Sequence, residues 1–461
     1  MYRYVSTLII LFCLFTADAQ PTDGVFIRNT MLAGDGAGLP FWLKANQSGR
    51  IQTEGAFLNL TEIYAGRKKP GWVWGLGMVA GLGAPEYLQL NQAFAGFTVK
   101  GWEIVGGSVA DTVRFSGLSS TNGNLARSLN ARPYPAIRLS SGGYRPVPFT
   151  EGHLHFSFTY SEGLLGDRRY VQNTRLHRKS FHLMANPSPS LAVKAGFEHI
   201  VMWGGVSSDN DIGQLPQNFS SYFRYISGAM GDDSFLLTDR MNVAGNQFGT
   251  WQLEIEATRG NTTATFFLNH PFEDFSGVNW RNWPDNLLGV HLRFKDRKLI
   301  NSVLYEFTDT RQQSIRDSIY GWNEEVGQWC MNEYDSYFNH SVYRSGFTYH
   351  RQMMGSPLFF PVVVENGMAK GLRSNRFYAH HTGLTGQFSK DISWKGLLTC
   401  VHHFGTWPRP LVPPLKQWSG LLEFLYAGPA FPVEVGLSAA ADFRGNQGRN
   451  TGISLSVSKR W

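Results

Sequence analysis

The sequence has few charged residues, few cysteines and no extended basic run. Charged residues make up 17% of the 461 positions, below the roughly 25% of typical soluble domains. The longest basic run, Arg67-Lys68-Lys69, is followed by Pro70 and indicates a turn. We therefore expect no nucleic-acid partner, although the net charge is +7. Three cysteines are too few for a disulfide framework.

Long hydrophobic runs are missing after the N-terminal segment. The best candidate for a membrane helix, residues 72–85, has 14 uncharged residues, whereas a transmembrane helix needs about 20. Four glycines lie within it, and each disfavours a helix by about 1 kcal/mol. No repeat of fixed period is present either, which excludes propellers and solenoids. The 50 glycines, 33 Phe, 18 Tyr and 14 Trp indicate a folded chain that is not a helical bundle.

Residues 1–19 have the pattern of a signal peptide. Arg3 gives a positive start, residues 5–15 are mostly apolar, and Ala17-Asp18-Ala19 matches a small-x-small cleavage site. We therefore predict export, with one mature domain over residues 20–461.

The predicted cleavage removes Cys13 and leaves Cys330 and Cys400. Phe12 stands where a lipoprotein site would have a small residue, which argues against lipidation of Cys13. The two remaining cysteines allow one disulfide, and their spacing does not decide whether they pair.

Apolar and polar residues alternate with period two along much of the chain, which predicts β-strands. Clear cases are residues 153–160, 251–257 and 288–294. The C-terminal segment sets apolar residues against serines and Arg460, and we interpret its apolar face as a membrane-insertion signal: Ile453, Leu455, Val457 and Trp461.

Short turns alternate with long polar segments between these strands. The turns contain the Gly, Pro, Asn or Asp that tight hairpins require; they are residues 100–101, 186–190, 259–261, 295–297 and 427–429. The long segments are roughly residues 204–247, 269–286, 310–341 and 352–372. This layout is typical of a transmembrane antiparallel β-barrel, here of about 16–18 strands. Between residues 107 and 150 the alternation is broken, and a strand near Ala136–Leu139 would restore it.

Alternation alone also fits a soluble β-sandwich. Three features favour the barrel. Tryptophans lie near strand ends, where an interfacial girdle would place them: Trp72, Trp102, Trp203, Trp251, Trp394 and Trp418. The opposite faces carry charges that suit a wet lumen, such as Glu254, Glu256 and Arg293. The last strand ends at an aromatic residue, Trp461.

Several motifs resemble the capsule-assembly Wzi family, in the form found in its Bacteroidetes-type branch. The most characteristic is His270-Pro271-Phe272-Glu273-Asp274 followed by Ser276-Gly277. The others, in chain order, are PFWL at 40–43, NQSG at 46–49, GQLP at 213–216, YFNH at 337–340, GFTYH at 346–350, MGSP at 354–357, and Asn375-Arg376 before His380-His381.

The resemblance implies an outer-membrane β-barrel of about 18 strands, plugged and with helical elements on its periplasmic side. It implies a surface lectin that holds capsular or other extracellular polysaccharide on the cell. Expected partners are that polysaccharide, outer-membrane lipid and the barrel-assembly machinery. This chain departs in length and loop content from the enterobacterial branch.

Three polar segments offer candidate carbohydrate contacts: residues 207–211, residues 218–224 with nearby Trp203, and residues 321–334. Sugars stack on aromatic rings and form hydrogen bonds with Arg, Asp and Asn side chains. The candidate residues are Trp203, Asp209, Asp211, Tyr222, Arg224, Trp322, Glu325 and Trp329. The alternative is that these segments are ordinary polar loops, or loops packed on the barrel. Carboxylates of the segment 321–334 are also possible general acids and bases for glycoside cleavage.

The motifs of metal and nucleophile chemistry are missing from the sequence. There is no HExxH, no Gly-x-Ser-x-Gly and no phosphate loop. The adjacent pairs His380/His381 and His402/His403 must point to opposite strand faces. We expect no cofactor, no metal and no catalytic residue. The leading hypothesis is a non-catalytic polysaccharide-binding barrel; the alternatives are a porin or transporter and a surface lipid or glycan hydrolase.

Overall fold

The computed structural model describes residues 23–35, 38–295, 298–315, 320–323, 328–331, 334–429, 431–445 and 448–461. They form a closed antiparallel barrel of 18 strands, at the upper end of the predicted range. In chain order the first nine strands are β1 Asp23–Gly34, β2 Phe57–Arg67, β3 Gly71–Gly83, β4 Tyr87–Val99, β5 Trp102–Ser108, β6 Pro135–Ser140, β7 Leu154–Leu165, β8 Thr174–Ser188 and β9 Leu191–Trp203. The second nine are β10 Asn246–Arg259, β11 Thr262–Phe272, β12 Asn286–Phe294, β13 Ser302–Asp309, β14 Arg376–Gln387, β15 Ile392–Gly405, β16 Pro410–Tyr426, β17 Glu434–Phe443 and β18 Arg449–Arg460.

The barrel closes because β1 pairs with both β2 and β18. Asp23 lies opposite Arg67 on one side, and Phe26 lies opposite Arg460 on the other. Trp461 extends this closure, since its backbone N–H donates to Val25 O at 2.9 Å. The strand expected near Ala136–Leu139 is present as β6 and restores the alternation.

The strand faces follow the predicted alternation. In β18, Ile453, Leu455 and Val457 are exposed on the outer wall, and the intervening serines face the lumen. An apolar exterior around a polar interior is the arrangement expected of a membrane barrel. Trp72 and Trp102 are exposed at strand ends, as a girdle requires, but Trp203 is only 6% exposed. Trp203 is therefore not a girdle residue.

The connections differ in length at the two ends of the barrel. Those beside the chain termini are short, and the longest connections lie at the opposite end, which we call the loop end. They are residues 35–56, 109–134, 204–245, 273–285 and 310–375. The loop end also carries four two-stranded ribbons. A short strand at the other end, Arg145–Pro146, pairs with β7. The ribbons are Val171–Gln172 with Val206–Ser207, Tyr320–Asn323 with Gln328–Met331, Thr348–Tyr349 with Gln352–Met353, and Val362–Glu365 with Met368–Leu372.

Helices are few in the described part of the chain. They are α1 Phe41–Lys44, α2 Phe219–Ser227, α3 Leu237–Met241, α4 Phe275–Val278 and one 3₁₀ turn at Phe115–Gly117. All belong to connections of the loop end. The placement of helices on the periplasmic side stays a prediction. No helix among the described residues combines the length and apolar character needed to cross a bilayer.

Three chain segments fill the lumen, and we call them the plug: residues 39–53, 110–134 and 335–359. Their buried side chains form one core with lumen-facing wall residues. Phe115 stacks on Phe267 of β11 with ring centroids 4.4 Å apart, and Phe338 stacks on Phe248 of β10 at 4.0 Å. These ring contacts pack the plug against the lumen face of the wall.

Buried charges attach the plug to the wall. Glu198 of β9, with 3% of its side chain exposed, accepts from Arg127 of the plug at 3.0 Å and from Arg178 of β8 at 2.7 Å. Asn124 donates to its other carboxylate oxygen at 2.9 Å. Each charge is thus paired, which burial in a low-dielectric interior requires.

Two further carboxylates hold other plug segments. Glu306 of β13 accepts from the backbone N–H of Ser120 at 2.8 Å and from its hydroxyl at 2.6 Å. Glu62 of β2 accepts from Arg50 at 2.6 Å. Contacts from separate strands therefore fix the plug at several points around the barrel.

The first prediction concerns Glu198. We expect Glu198→Gln to reduce the free energy of unfolding by about 3–5 kcal/mol, because it leaves the buried Arg127 and Arg178 without their shared anion. The measurement is thermal and denaturant unfolding of the barrel in detergent. The matched control is Glu256→Gln, whose partner Arg293 lies 3.6 Å away and is half exposed; its loss should be below about 1 kcal/mol. Equal effects of the two variants would contradict the attachment.

The second prediction concerns the C-terminus. Replacing Trp461 with Glu should impair assembly into the membrane, because it places a charge at the last position of the closing strand. Trp461→Phe keeps an aromatic ring and should assemble normally. Heat-modifiable migration in gels reports the folded fraction, and normal levels of folded Trp461→Glu protein would refute the expectation.

Candidate glycan-binding surface

The connection 310–375 is the largest at the loop end, and buried carboxylates fix it to the barrel rim. Asp285 accepts from the backbone N–H groups of Gln312 and Gln313, both at 2.8 Å, and from the Tyr337 hydroxyl at 2.9 Å. Burial raises the pKa of Asp285 to about 7, against the opposing effect of these donors. These bonds fix Gln312, Gln313 and Tyr337 of the connection to the barrel rim.

A second carboxylate acts in the same way. Glu273 accepts from the backbone N–H groups of Ser336 at 3.0 Å and Phe338 at 2.9 Å. Burial, together with the neighbouring Asp335 charge, raises the pKa of Glu273. Glu273 lies in the most characteristic of the motifs noted in the sequence, and Asn375, in another, donates to Tyr337 O at 3.1 Å. These motif residues thus anchor the connection to the barrel rim.

The structure brings three of the sequence-predicted residues together, but on the outer wall and largely covered. Trp203 ends β9, and Tyr222 of α2 covers it with ring centroids 5.0 Å apart. The Tyr222 hydroxyl donates to Glu162 of β7. Arg224 is occupied as well, since its Nε lies 3.1 Å from Asp232. These residues attach α2 to the wall, and Trp203 is only 6% exposed.

Asp209 and Asp211 lie together in a tight turn at the loop end. Asp209 accepts from Arg344 at 2.8 Å, which ties the turn to the large connection. It also accepts from the Asp211 backbone N–H at 3.2 Å. Asp211 itself is exposed. Of the two, Asp211 is the residue whose carboxylate faces solvent.

Trp322 and Trp329 lie in the ribbon of the large connection, where their Cα atoms are opposite each other. Glu325 lies outside the described residues. The backbone register therefore brings the two tryptophan positions together at the turn end of one hairpin.

Sequence reasoning missed an exposed tryptophan pair in the connection 273–285. Trp280 and Trp283 are 41% and 55% exposed, with ring centroids 5.8 Å apart. Trp280 stacks flat on His270 of β11 at 4.0 Å, with an angle of 4° between the rings. The intervening Arg281 is exposed. The spacing Trp-x-x-Trp beside an Arg was a usable signal.

Buried hydrogen bonds hold the tryptophan pair in place. Asn282, between the tryptophans, is fully buried and donates to Pro271 O and to the Tyr337 hydroxyl, both at 2.7 Å. His270 Nδ1 donates to Asp285 O at 2.9 Å. Two exposed indole faces and a guanidinium held in fixed positions are suited to stacking and hydrogen bonding with sugar rings.

In the adjacent histidine pairs the two side chains lie on opposite strand faces, as predicted. His381 and His403 are buried in the lumen, where His381 bonds to Thr399 and to the plug at Leu118. His402 faces outward and stacks on Tyr378. Among the described residues, no group of three His, Cys, Asp or Glu is arranged to hold a metal ion. Cys400 is a buried free thiol.

Solved structures with this architecture include one described as Wzi of Escherichia coli, an outer-membrane protein involved in group 1 capsule assembly and a carbohydrate-binding β-barrel. The two share 14% identity with a TM-score of 0.59, over 94% of this chain and 84% of that one. At this identity the likeness shows the fold alone.

Other matches have lower similarity. Pseudomonas aeruginosa OccK5 (OpdH) shares 10% identity at a TM-score of 0.47, over 95% of this chain and 96% of that one. Acinetobacter baumannii OccAB2 shares 9% at 0.46, over 95% and 97%. A comparison with curated proteins gives no match.

A family model described as capsule assembly protein Wzi matches residues 32–359. The match spans most of the barrel, all three plug segments and the connection 273–285. Because it covers more than half of the sequence, the chain belongs to the Wzi capsule assembly family.

Proposed function

We propose that this protein is an outer-membrane barrel that binds capsular or other extracellular polysaccharide and helps to assemble or anchor the capsule. It acts as a lectin and without catalysis. The observation that carries the proposal is a filled lumen beneath a rigid, aromatic loop end in a member of a capsule assembly family. In this proposal the signal peptide directs export, the assembly machinery recognises the closing strand, and the loop end faces outward.

The filled lumen supports a surface role. A cavity of about 1240 Å³ lies between the plug and the termini end, but plug residues such as Trp42, Asn46 and Ser119 form its inner wall. A transporter would have to break the ion pairs of Glu198 and the Glu306 contacts to open this path. Nothing comparable restricts binding at the loop end.

The exposed pair Trp280 and Trp283 supplies the proposed contact, together with Arg281 and the solvent-facing Asp211. Each such contact with a sugar is weak. A long polymer that touches many copies of the protein is nevertheless retained, because the second and later contacts form at high effective concentration. Rigid anchoring by Asn282 lowers the ordering entropy lost on binding.

The third prediction tests this surface in cells. Deleting the gene should shift polysaccharide from the cell surface to the medium at equal total synthesis. Complementation with Trp280→Ala/Trp283→Ala should fail to restore retention, and the purified variant should bind polysaccharide at least about tenfold more weakly, equivalent to about 1.4 kcal/mol. Trp72→Ala, exposed at the opposite end, is the matched control and should restore retention.

The outcomes are compared at equal levels of folded barrel. Unchanged attachment after deletion would overturn the capsule role, and full retention with the double variant would overturn this surface. In the second case, variants at Trp322, Trp329 and Asp211 test the remaining candidates.

The fourth prediction separates binding from transport. The wild-type barrel should pass little current in planar bilayers, because the plug fills the lumen. Stable open-pore conductance of the wild-type protein would favour the porin alternative. Glu198→Gln should raise conductance if the plug alone blocks the path, whereas Glu256→Gln should not.

A further inference from the structure

We propose that a groove on the outer wall, beneath the N-terminal end of α2, binds a phosphorylated lipid of the outer leaflet. One acyl chain lies in the groove, and the phosphate is held by Arg175. The inference goes beyond polysaccharide binding and rests only on the outer-membrane location that the proposed function includes.

The groove lies between the outer faces of β6 to β9 and helix α2. Its volume is about 730 Å³, within the range of about 300–1,000 Å³ typical of ligand sites. Apolar side chains dominate its lining: Pro135, Ala136, Ile137, Leu164, Trp203 and Phe219. Such a lining suits a hydrocarbon chain.

Helix α2 forms one side of the groove, and its position is fixed at both ends. The Asn218 side chain caps the first turn by accepting from Ser221 N at 2.8 Å. Gly228 ends the helix in the left-handed conformation at φ 70°, which glycine adopts without strain. Tyr225 is fully buried and packs with Val201 and Trp203 of the wall.

Polar groups of the wall explain why the helix lies there. The outer wall near the loop end of β7 and β8 carries three polar side chains: Glu162, His177 and Lys179. Lipid would offer them no hydrogen-bond partners. The connection supplies partners to two of them, since Tyr222 donates to Glu162 and Lys179 donates to Ile226 O; His177 bonds to Glu162. The Tyr222 phenol has its pKa raised by burial and by this carboxylate, so it remains a donor.

The face of α2 that points away from the wall is apolar. Phe219 and Phe223, one turn apart, are 78% and 50% exposed and contact each other with ring centroids 4.8 Å apart. Phe219 stands at the mouth of the groove. An amphipathic helix with phenylalanines on its outer face is typical of a segment lying at a membrane interface.

Two observations identify lipid as the occupant. Ile137 and Leu164 line the groove and are also 69% and 44% exposed on the lipid-facing wall, so the groove opens directly into the surrounding hydrocarbon. The single cation of the lining, Arg175, lies with its guanidinium 4.7 Å from the Trp203 ring centre. No ion pair of Arg175 occurs among the described residues, whereas Glu162 is occupied by His177 and Tyr222. An apolar groove with one available cation matches an acyl chain joined to a phosphate.

The experiment uses the full-length barrel purified in detergent. Native mass spectrometry measures retained lipid, before and after titration with lipid A as the probe, either bisphosphorylated or dephosphorylated. We expect wild type to bind one bisphosphorylated lipid A. Leu164→Trp should fill the groove and lower occupancy at least tenfold, with Ile137→Trp as a second filling variant. The matched control is Leu90→Trp, at a lipid-facing position of similar exposure on β4, which should bind like wild type.

The phosphate contact has its own test. Arg175→Gln should weaken binding of the bisphosphorylated lipid and leave the dephosphorylated lipid unaffected. All variants are compared as folded, heat-modifiable protein. The proposal is overturned if folded wild type binds no lipid, if Leu90→Trp loses as much as the filling variants, or if an oligosaccharide without acyl chains occupies the groove. Leu164→Trp should retain polysaccharide binding, so failure of the lipid site and failure of the lectin role are distinguishable.

Discussion

The structure depends on one constraint: backbone polar groups surrounded by hydrocarbon must all be paired within the protein. An open sheet would leave the outer edges of β1 and β18 unpaired, and each unsatisfied group in lipid is costly. Pairing of β1 with both neighbours removes these edges. Closure then divides every strand into a face toward lipid and a face toward the lumen. The positions of the plug, the connections and the helices all follow from that division.

Closure creates an interior that must be filled or hydrated. This barrel fills much of it with its own chain, and the filling is held by buried ion pairs as well as aromatic packing. Filling the lumen removes the water that would otherwise hydrate Glu198 and Glu306, and the plug supplies their hydrogen-bond partners instead. The lumen is thereby committed to structure, and we therefore propose the rim as the binding surface. This agrees with the role of the motif residues Glu273 and Asn375, which position the rim without forming its outer surface.

The connections do more than join strands. Segments of three connections fold inward as the plug, and another connection, residues 204–245, folds over the outer wall. There α2 covers polar wall residues and presents phenylalanines in their place. In this part of the barrel, the outer surface is thus formed by both the strands and the connection 204–245. This combined surface produces the groove, which neither the strands nor the helix would form alone.

Local pattern was sufficient to predict the class of fold, its approximate number of strands and the face of each alternating residue. The reason is that a strand in a membrane barrel contacts lipid on one side and a polar interior on the other, and this difference repeats every two residues. It placed Ile453, Leu455 and Val457 outside, and it divided His380 from His381. The signal for β6 was weaker, because that strand is short, but the need for alternating direction identified it.

Only the tertiary structure decided where the connections go. Trp203 has the sequence features of a girdle or sugar-contacting residue, yet α2 buries it because Glu162 and Lys179, far away in the sequence, need partners above the same wall. Trp280 and Trp283 are exposed for the opposite reason, since buried Asn282 and stacked His270 fix the connection with both indoles outward. The helices all lie in connections of the loop end. Such outcomes depend on contacts between residues distant in the sequence, which a local period cannot encode.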